Sequence, residues 1–168
     1  MHPIKYLLPA LALATCQTAA LAQDRALLIG IADYQVKRFS LKGPANDTQL
    51  FKALLTEKLG FAAEDIHILQ DSKATHQGIL AALQKLMQGT GKGDRIVLYY
   101  SGHGAQMPDD NHDEQDGWDE AILPYDIAED GDDTRHWLRD DDINKALQNA
   151  DGAQVLAVFD FSQLPRAA

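Results

Sequence analysis

Hydrophobic and polar positions along the chain alternate between two periods. Arg25 to Ile31 is an unbroken apolar run of strand length after its first residue, the pattern of a strand covered on both faces. Leu50, Phe51, Leu54, Leu55 and Leu59 then recur at helical spacing, with Asn46 or Asp47 placed to cap the helix and Gly60 to end it. Ile66 to Leu69 is short enough for a second strand. Thr75 is placed to cap a second helix, with Ile79, Leu80, Leu83, Leu86 and Met87 on one face. A turn follows through Gly89, Gly91 and Gly93, leading into a third strand from Arg95 to Tyr100. The stretch 105–138 is polar and acidic and is expected to be a loop. Asp140 to Asn149 forms a short helix with Ile143, Ala146 and Leu147 inward, and Val155 to Phe159 reads as a buried fourth strand running into Asp160. Strands alternating with helices predict a parallel α/β sheet with right-handed crossovers, whose ligands gather beyond the strands' carboxyl ends.

The first 22 residues do not fit that pattern. A weakly basic start, an apolar run from Tyr6 to Ala14 and the small-residue triplet Ala20-Leu21-Ala22 predict a secretory signal peptide cleaved after Ala22. The peptide leaves a domain over 23–168 that is secreted or periplasmic. The run is too short for a stable membrane span. Leu13-Ala14-Thr15-Cys16 is a weaker alternative, a lipoprotein box acylated at Cys16, with Thr15 unfavourable before the cysteine. Cys16 is the only cysteine, so the domain after Ala22 has no disulfide and no thiol nucleophile.

Length fits one domain. A net charge of −10 disfavours nucleic acid and anionic membrane and favours metal ions or basic peptides. Fifteen of the 25 acidic residues fall between Asp109 and Asp142, against Arg135 and Arg139 alone. An EF-hand start at Asp109, Asn111 and Asp113, with Glu120 at the twelfth place, fails because Glu114 stands where the loop needs glycine. A site for a hard cation, Ca²⁺ rather than Zn²⁺, is still consistent with oxygen ligands alone.

Two further features bear on chemistry. Gly102-His103-Gly104 at the end of the third strand puts a histidine where it is expected to be exposed and free of bulk, suited to a general base, with the glycines letting backbone N–H groups approach an oxyanion. Asp160 reaches the same sheet edge. Neither a Gly-x-Ser-x-Gly elbow nor a phosphate loop with lysine occurs, which argues against an unrelated α/β hydrolase or nucleotide binder.

ALLIGIADY with GPANDTQ, YYSGHGAQ, DGWDEAILPYD with RDDDI, and VLAVFD occur in this order over residues 25–160. Together they resemble the large-subunit part of caspase-like cysteine peptidases, closest to the metacaspases and their bacterial relatives. The resemblance implies a three-layer αβα caspase-like (caspase–hemoglobinase) fold with a mainly parallel sheet, incomplete on its C-terminal side. It implies a Cys–His dyad endopeptidase cleaving protein or peptide substrates after Arg or Lys. His103 matches the catalytic histidine, with Gly104 beside it. Asp47 and Asp160 match the acids that receive the basic side chain, and Asp119, Asp140 and Asp141 match positions that bind activating Ca²⁺. Asp140 also reads as a cap for a helix beginning near Asp142.

The departure is at the nucleophile. Ser162 occupies the place of the family's cysteine, and a hydroxyl needs far stronger activation than a thiol. Proteolysis by the chain as written is therefore not expected, and a frameshift, a truncation or a true serine variant are the open explanations. A non-catalytic module binding Ca²⁺ and basic peptides is the alternative function. The edge of the fourth strand is expected to be uncovered and to drive self-association.

Overall fold

The computed structural model describes residues 22–109, 111–112, 114–128, 134–148 and 150–164. The expected signal peptide up to residue 21, with Cys16, lies outside them, as do several acids of the 109–142 region. Among the described residues no helix is long and apolar enough to cross a membrane.

One sheet organises the fold. Strand β1 (Asp24–Gly30) pairs in parallel with β2 (Ile66–Gln70) on one side and with β3 (Arg95–Pro108) on the other. The opposite edge of β3 carries β6 (Gln154–Gln163), also parallel. Beyond the end of β1, β3 continues and pairs antiparallel with β4 (Trp118–Ile122), which pairs in turn with the two-residue β5 (Leu138–Arg139). Sequence expected β3 to stop at Tyr100 and the acidic stretch to be loop. Instead β3 runs eight residues further, because β4 supplies ladder partners where β1 has ended.

Helix α1 (Pro44–Lys58) covers one face, and α2 (His76–Met87) with α3 (Asp140–Leu147) covers the other. Alternate strand residues accordingly feed two cores. Ala26, Leu28, Val97 and Tyr99 pack with Leu55 under α1. Leu27, Ile29, Ile96, Leu98 and Tyr100 pack with Ile79, Leu83 and Ile143 on the opposite side. This is the three-layer arrangement expected.

Thr75 caps α2 through its hydroxyl, which accepts from the Gly78 N–H at 3.0 Å. Gly60 has φ +76°, the left-handed stop expected after α1. The start of α1 differs from expectation. Its cap position is Gly43 at φ +132°, followed by Pro44, so Asp47 lies inside the first turn instead of capping it. The anticipated α1 face is also only partly correct. Leu55 is buried and Phe51 stacks on Tyr99 at 4.1 Å, but Leu50 is 62% and Leu54 44% exposed, and Leu59 is exposed too. The buried line runs through Pro44, Thr48, Phe51 and Leu55, and at about 100° per residue Leu54 and Leu50 stand roughly 100° and 140° from it.

β6 corrects the expectation of a buried strand. Val155, Leu156, Phe159 and Phe161 are all exposed, because among the described residues the strand has β3 as its only strand neighbour. The strand also continues past Asp160 through Ser162.

Candidate active site at the β3–β6 edge

On β3, the odd-numbered residues Val97, Tyr99, Ser101 and His103 share the face that α1 covers. Parallel pairing sets Ser101 opposite Asp160 and His103 opposite Ser162. Direct register partners present their side chains on the same face, so strand geometry alone collects His103, Ser162, Ser101 and Asp160. Asp47 arrives from the first turn of α1, where its Oδ2 accepts from the Ser101 hydroxyl at 3.2 Å. Burial pushes the Tyr99 phenol above its ordinary pKa, and the carboxylates of Asp160 and Asp47 push it further, so both charges reach this spot. Ser101 lies under the two acids, and the strand alternation that runs through Tyr99 to His103 is the sequence signal that could have found it.

His103 is not the exposed, unencumbered histidine that two flanking glycines suggested. It is 7% exposed, with the Tyr34 ring centroid 5.2 Å away and the Phe39 ring edge-on at 6.2 Å. Its Nε2 lies 2.8 Å from the Phe39 carbonyl oxygen and its Nδ1 3.1 Å from the Ser162 carbonyl oxygen. A neutral imidazole has one N–H to give. If Nε2 carries the proton and donates to Phe39 O, the shorter contact, Nδ1 is left as the basic nitrogen, facing the main-chain carbonyl of residue 162. As imidazolium the ring donates to both carbonyls. The Phe39 carbonyl, in a 3-10 turn at Lys37–Phe39, thus orients the ring. No side-chain pattern could have disclosed a backbone carbonyl in that role.

The glycines are required by space. A Cβ on Gly104 would lie 2.6 Å from Cδ2 of Phe161, and one on Gly102 would lie 2.5 Å from the Tyr100 hydroxyl. Gly104 pairs with Ile122 of β4 and Gln163 of β6, and its carbonyl accepts from the Leu164 N–H at 2.8 Å. Its lack of a side chain is thereby explained by the Phe161 ring.

The second acidic constellation lies at β4 and α3. Asp119 is buried, its Oδ2 has no hydrogen bond, and Arg139 Nε is 3.6 Å away. Burial raises the Asp119 pKa, Arg139 opposes, and Asp109, Asp140 and Asp141 add to the rise. Asp140 is also raised, first by burial and then by Asp141 and Glu120 against backbone hydrogen bonds. It is the first residue of α3 after the cap position Arg139, so it does not cap the helix. Asp141 Oδ2 accepts from Asn111 Nδ2 at 2.6 Å. A buried carboxylate oxygen with no hydrogen bond, amid mutually repelling acids that offer only oxygen donors, suits a hard cation in competition with Arg139. The described acids do not already stand in a closed cluster of three ligands. Asp109 is turned to its own loop, where amides of His112, Glu114 and Asn111 hold its carboxyl low against burial.

Residues 24–163 match the family model described as metacaspase, peptidase C14 domain. The chain is 40% identical over 145 residues to Metacaspase-1A of Neurospora crassa and 36% identical over 146 residues to Metacaspase-3 of Arabidopsis thaliana. These matches take in 81% and 82% of the chain but 30% and 39% of the relatives, so the chain spans about a third of their length. Among solved structures, a Geobacter sulfurreducens protein superposes with a TM-score of 0.64 at 30% identity, covering 82% of this chain and 49% of that one.

Proposed function

The chain belongs to the metacaspase family of C14 peptidases, and from that membership we propose that it carries a Cys–His-type endopeptidase site selective for arginine or lysine, with serine at the nucleophile's place. His103 is the base, with Nδ1 toward residue 162. Asp47 and Asp160 receive the basic side chain, and Gly104, beside the base, leaves room for the Phe161 ring. The observation that carries this reading is the register of β3 against β6, which sets His103 opposite Ser162 and Ser101 opposite Asp160.

A serine hydroxyl beside this histidine lacks the low pKa that makes a thiol competent. The chain is therefore expected to show no turnover of an arginine reporter. A Ser162→Cys variant is expected to be labelled at position 162 by an arginyl chloromethyl ketone, read by peptide mass spectrometry. No label at 162 would remove the peptidase reading. The same serine favours the second reading, a non-catalytic module that binds basic peptides and Ca²⁺; peptide binding without labelling of the variant would select it.

Ca²⁺ belongs to the proposal at Asp119, Asp140 and Asp141. It would neutralise a repulsion that the apoprotein bears, and its pH dependence has a definite sign. Asp119 and Asp140 hold protons more tightly folded than at the ordinary value of 3.8. Their contribution is therefore lost as pH rises from the unfolded value through the raised ones. Saturating Ca²⁺ is expected to raise Tm by about 5–10 °C near pH 7 and by less at an acid pH where these carboxyls take up protons. Asp119→Asn should abolish the shift. A Tm indifferent to Ca²⁺ at both pH values would remove the site.

The outer edge of β6 has no strand partner among the described residues, and Leu156, Phe159 and Phe161 stand exposed along it. Gln154–Gln163 contains no lysine, proline or glycine to discourage pairing. A second copy of the chain is the proposed occupant, and sedimentation velocity should show association that rises with concentration. A concentration-independent monomer would refute it.

A further inference from the structure

The main chain of His103 crosses a gap in the sheet. On the edge of β3 that faces β1, the last β1 partner is Gly30 opposite Ser101, and β4 pairing resumes with Ile122 opposite Gly104. Between them the ladder provides one bond to His103, from the Leu123 N–H to its carbonyl at 3.0 Å. Two phenols occupy the rest of the gap. Tyr34 Oη accepts from the His103 N–H at 2.8 Å and donates to Leu123 O at 3.2 Å. Tyr100 Oη lies 2.6 Å from His103 O and 3.0 Å from Leu123 O, so its single proton goes to His103 O or is shared between the two carbonyls. The hydroxyls are 3.4 Å apart and both residues are fully buried. The space they use is the missing side chain of Gly102, whose Cβ would stand 2.5 Å from one hydroxyl and 2.9 Å from the other.

We propose that Tyr34 and Tyr100 are positioning residues for His103, a buried two-phenol clamp that holds the main chain on both sides of it so that Nδ1 stays directed at residue 162. The inference rests on the reading of His103 as the base and adds what keeps it in place. Burial raises the Tyr34 pKa to about 12 and that of Tyr100 well above its ordinary value, so both remain protonated donors wherever the site works. The Tyr34 ring also backs the imidazole directly, at 5.2 Å between centroids, so one residue controls both the backbone and one side of the ring.

Isosteric Tyr34→Phe and Tyr100→Phe variants test this on the full chain, with Ser162 for the ring spectrum and Ser162→Cys for alkylation, and with Tyr125→Phe as a control from the same core. The readouts are the ¹⁵N spectrum of the His103 ring and the pH profile of iodoacetamide alkylation at residue 162. With Ser162 left in place, where no thiol can draw the ring into an ion pair, the ring is expected to show a single neutral tautomer protonated at Nε2. Each clamp variant should mix the two tautomers and slow alkylation about ten-fold, a cost of the size that small misplacements bring. The control should leave both readouts unchanged. A lowered Tm with the ring spectrum and pH profile intact would mean the phenols only fill and satisfy the core, which overturns the proposal, as would loss of folding in both variants. If instead the parent thiol shows no dependence on His103, the dyad reading fails, while the ring spectrum still reports on the clamp.

Discussion

A cysteine placed at position 162 is expected to alkylate at neutral pH about ten times faster than an exposed free thiol, and His103→Ala is expected to return it to the free-thiol rate. A free cysteine titrates near 8.5, so only a few per cent is thiolate at pH 7. An adjacent imidazolium lowers that value and raises the thiolate fraction up to about thirty-fold, while the reduced basicity of the sulfur takes back part of the gain. About ten-fold remains. The register supplies the proximity: His103 and Ser162 are direct partners across β3 and β6, and His103 Nδ1 is 3.1 Å from the main-chain carbonyl oxygen of residue 162. A rate equal to that of a model thiol, unchanged by His103→Ala, would mean that the register brings the two residues together without coupling them.

Selectivity for a basic side chain gives the second large effect. An arginyl chloromethyl ketone is expected to label the Ser162→Cys protein about a hundred-fold faster than an alanyl one. Asp47→Asn or Asp160→Asn alone should each cost about ten-fold of that ratio, and the double variant should erase it. The estimate takes about 1.5–3 kcal/mol for a hydrogen bond to a charged group, with 1.4 kcal/mol per factor of ten. A guanidinium has five donors in a planar fork, which allows it to meet both carboxylates. The two acids should not behave alike in salt. Asp160 is exposed, so its share should shrink at high ionic strength. Asp47 is half-buried and accepts from Ser101, and its share should persist. Selectivity that survives the double variant would place the recognition elsewhere.

Much of this site was legible in residue order because its parts sit on strands. Strand alternation has a period of two whatever surrounds it, so Tyr99, Ser101 and His103 share a face wherever β3 ends. Family motifs then named His103, Asp160 and position 162. The errors came where a local pattern depended on its neighbours. Glycines on both sides of His103 suggested an exposed histidine free of bulk at a strand's end, yet the ring is buried within a strand that continues, and the glycines make room for Tyr100 and Phe161. Apolar spacing on α1 indicated a face of five residues, but a helix buries only the line that another surface meets, and Leu50 and Leu54 lie outside it. In the acidic stretch charge density suggested loop, and it contains β4 because a strand needs only a partner with free backbone groups. That partner was an extension of β3 which no local signal announced.

The sequence by itself determined the alternation of strands and helices, the caps and stops at Thr75 and Gly60, the family, and which residues are candidates for chemistry. Those follow from side-chain chemistry and from periods fixed by backbone geometry. Tertiary structure decided the pairing that sets His103 against Ser162, the Phe39 carbonyl that meets Nε2 of its ring, and the phenols of Tyr34 and Tyr100 at the gap between β1 and β4. Each of these is a meeting of groups at least 59 residues apart, apart from Tyr100, whose hydroxyl folds back onto its own strand. Hydrogen bonds of a few ångströms between distant segments leave no periodic trace in the chain, since nothing local requires either partner to expect the other.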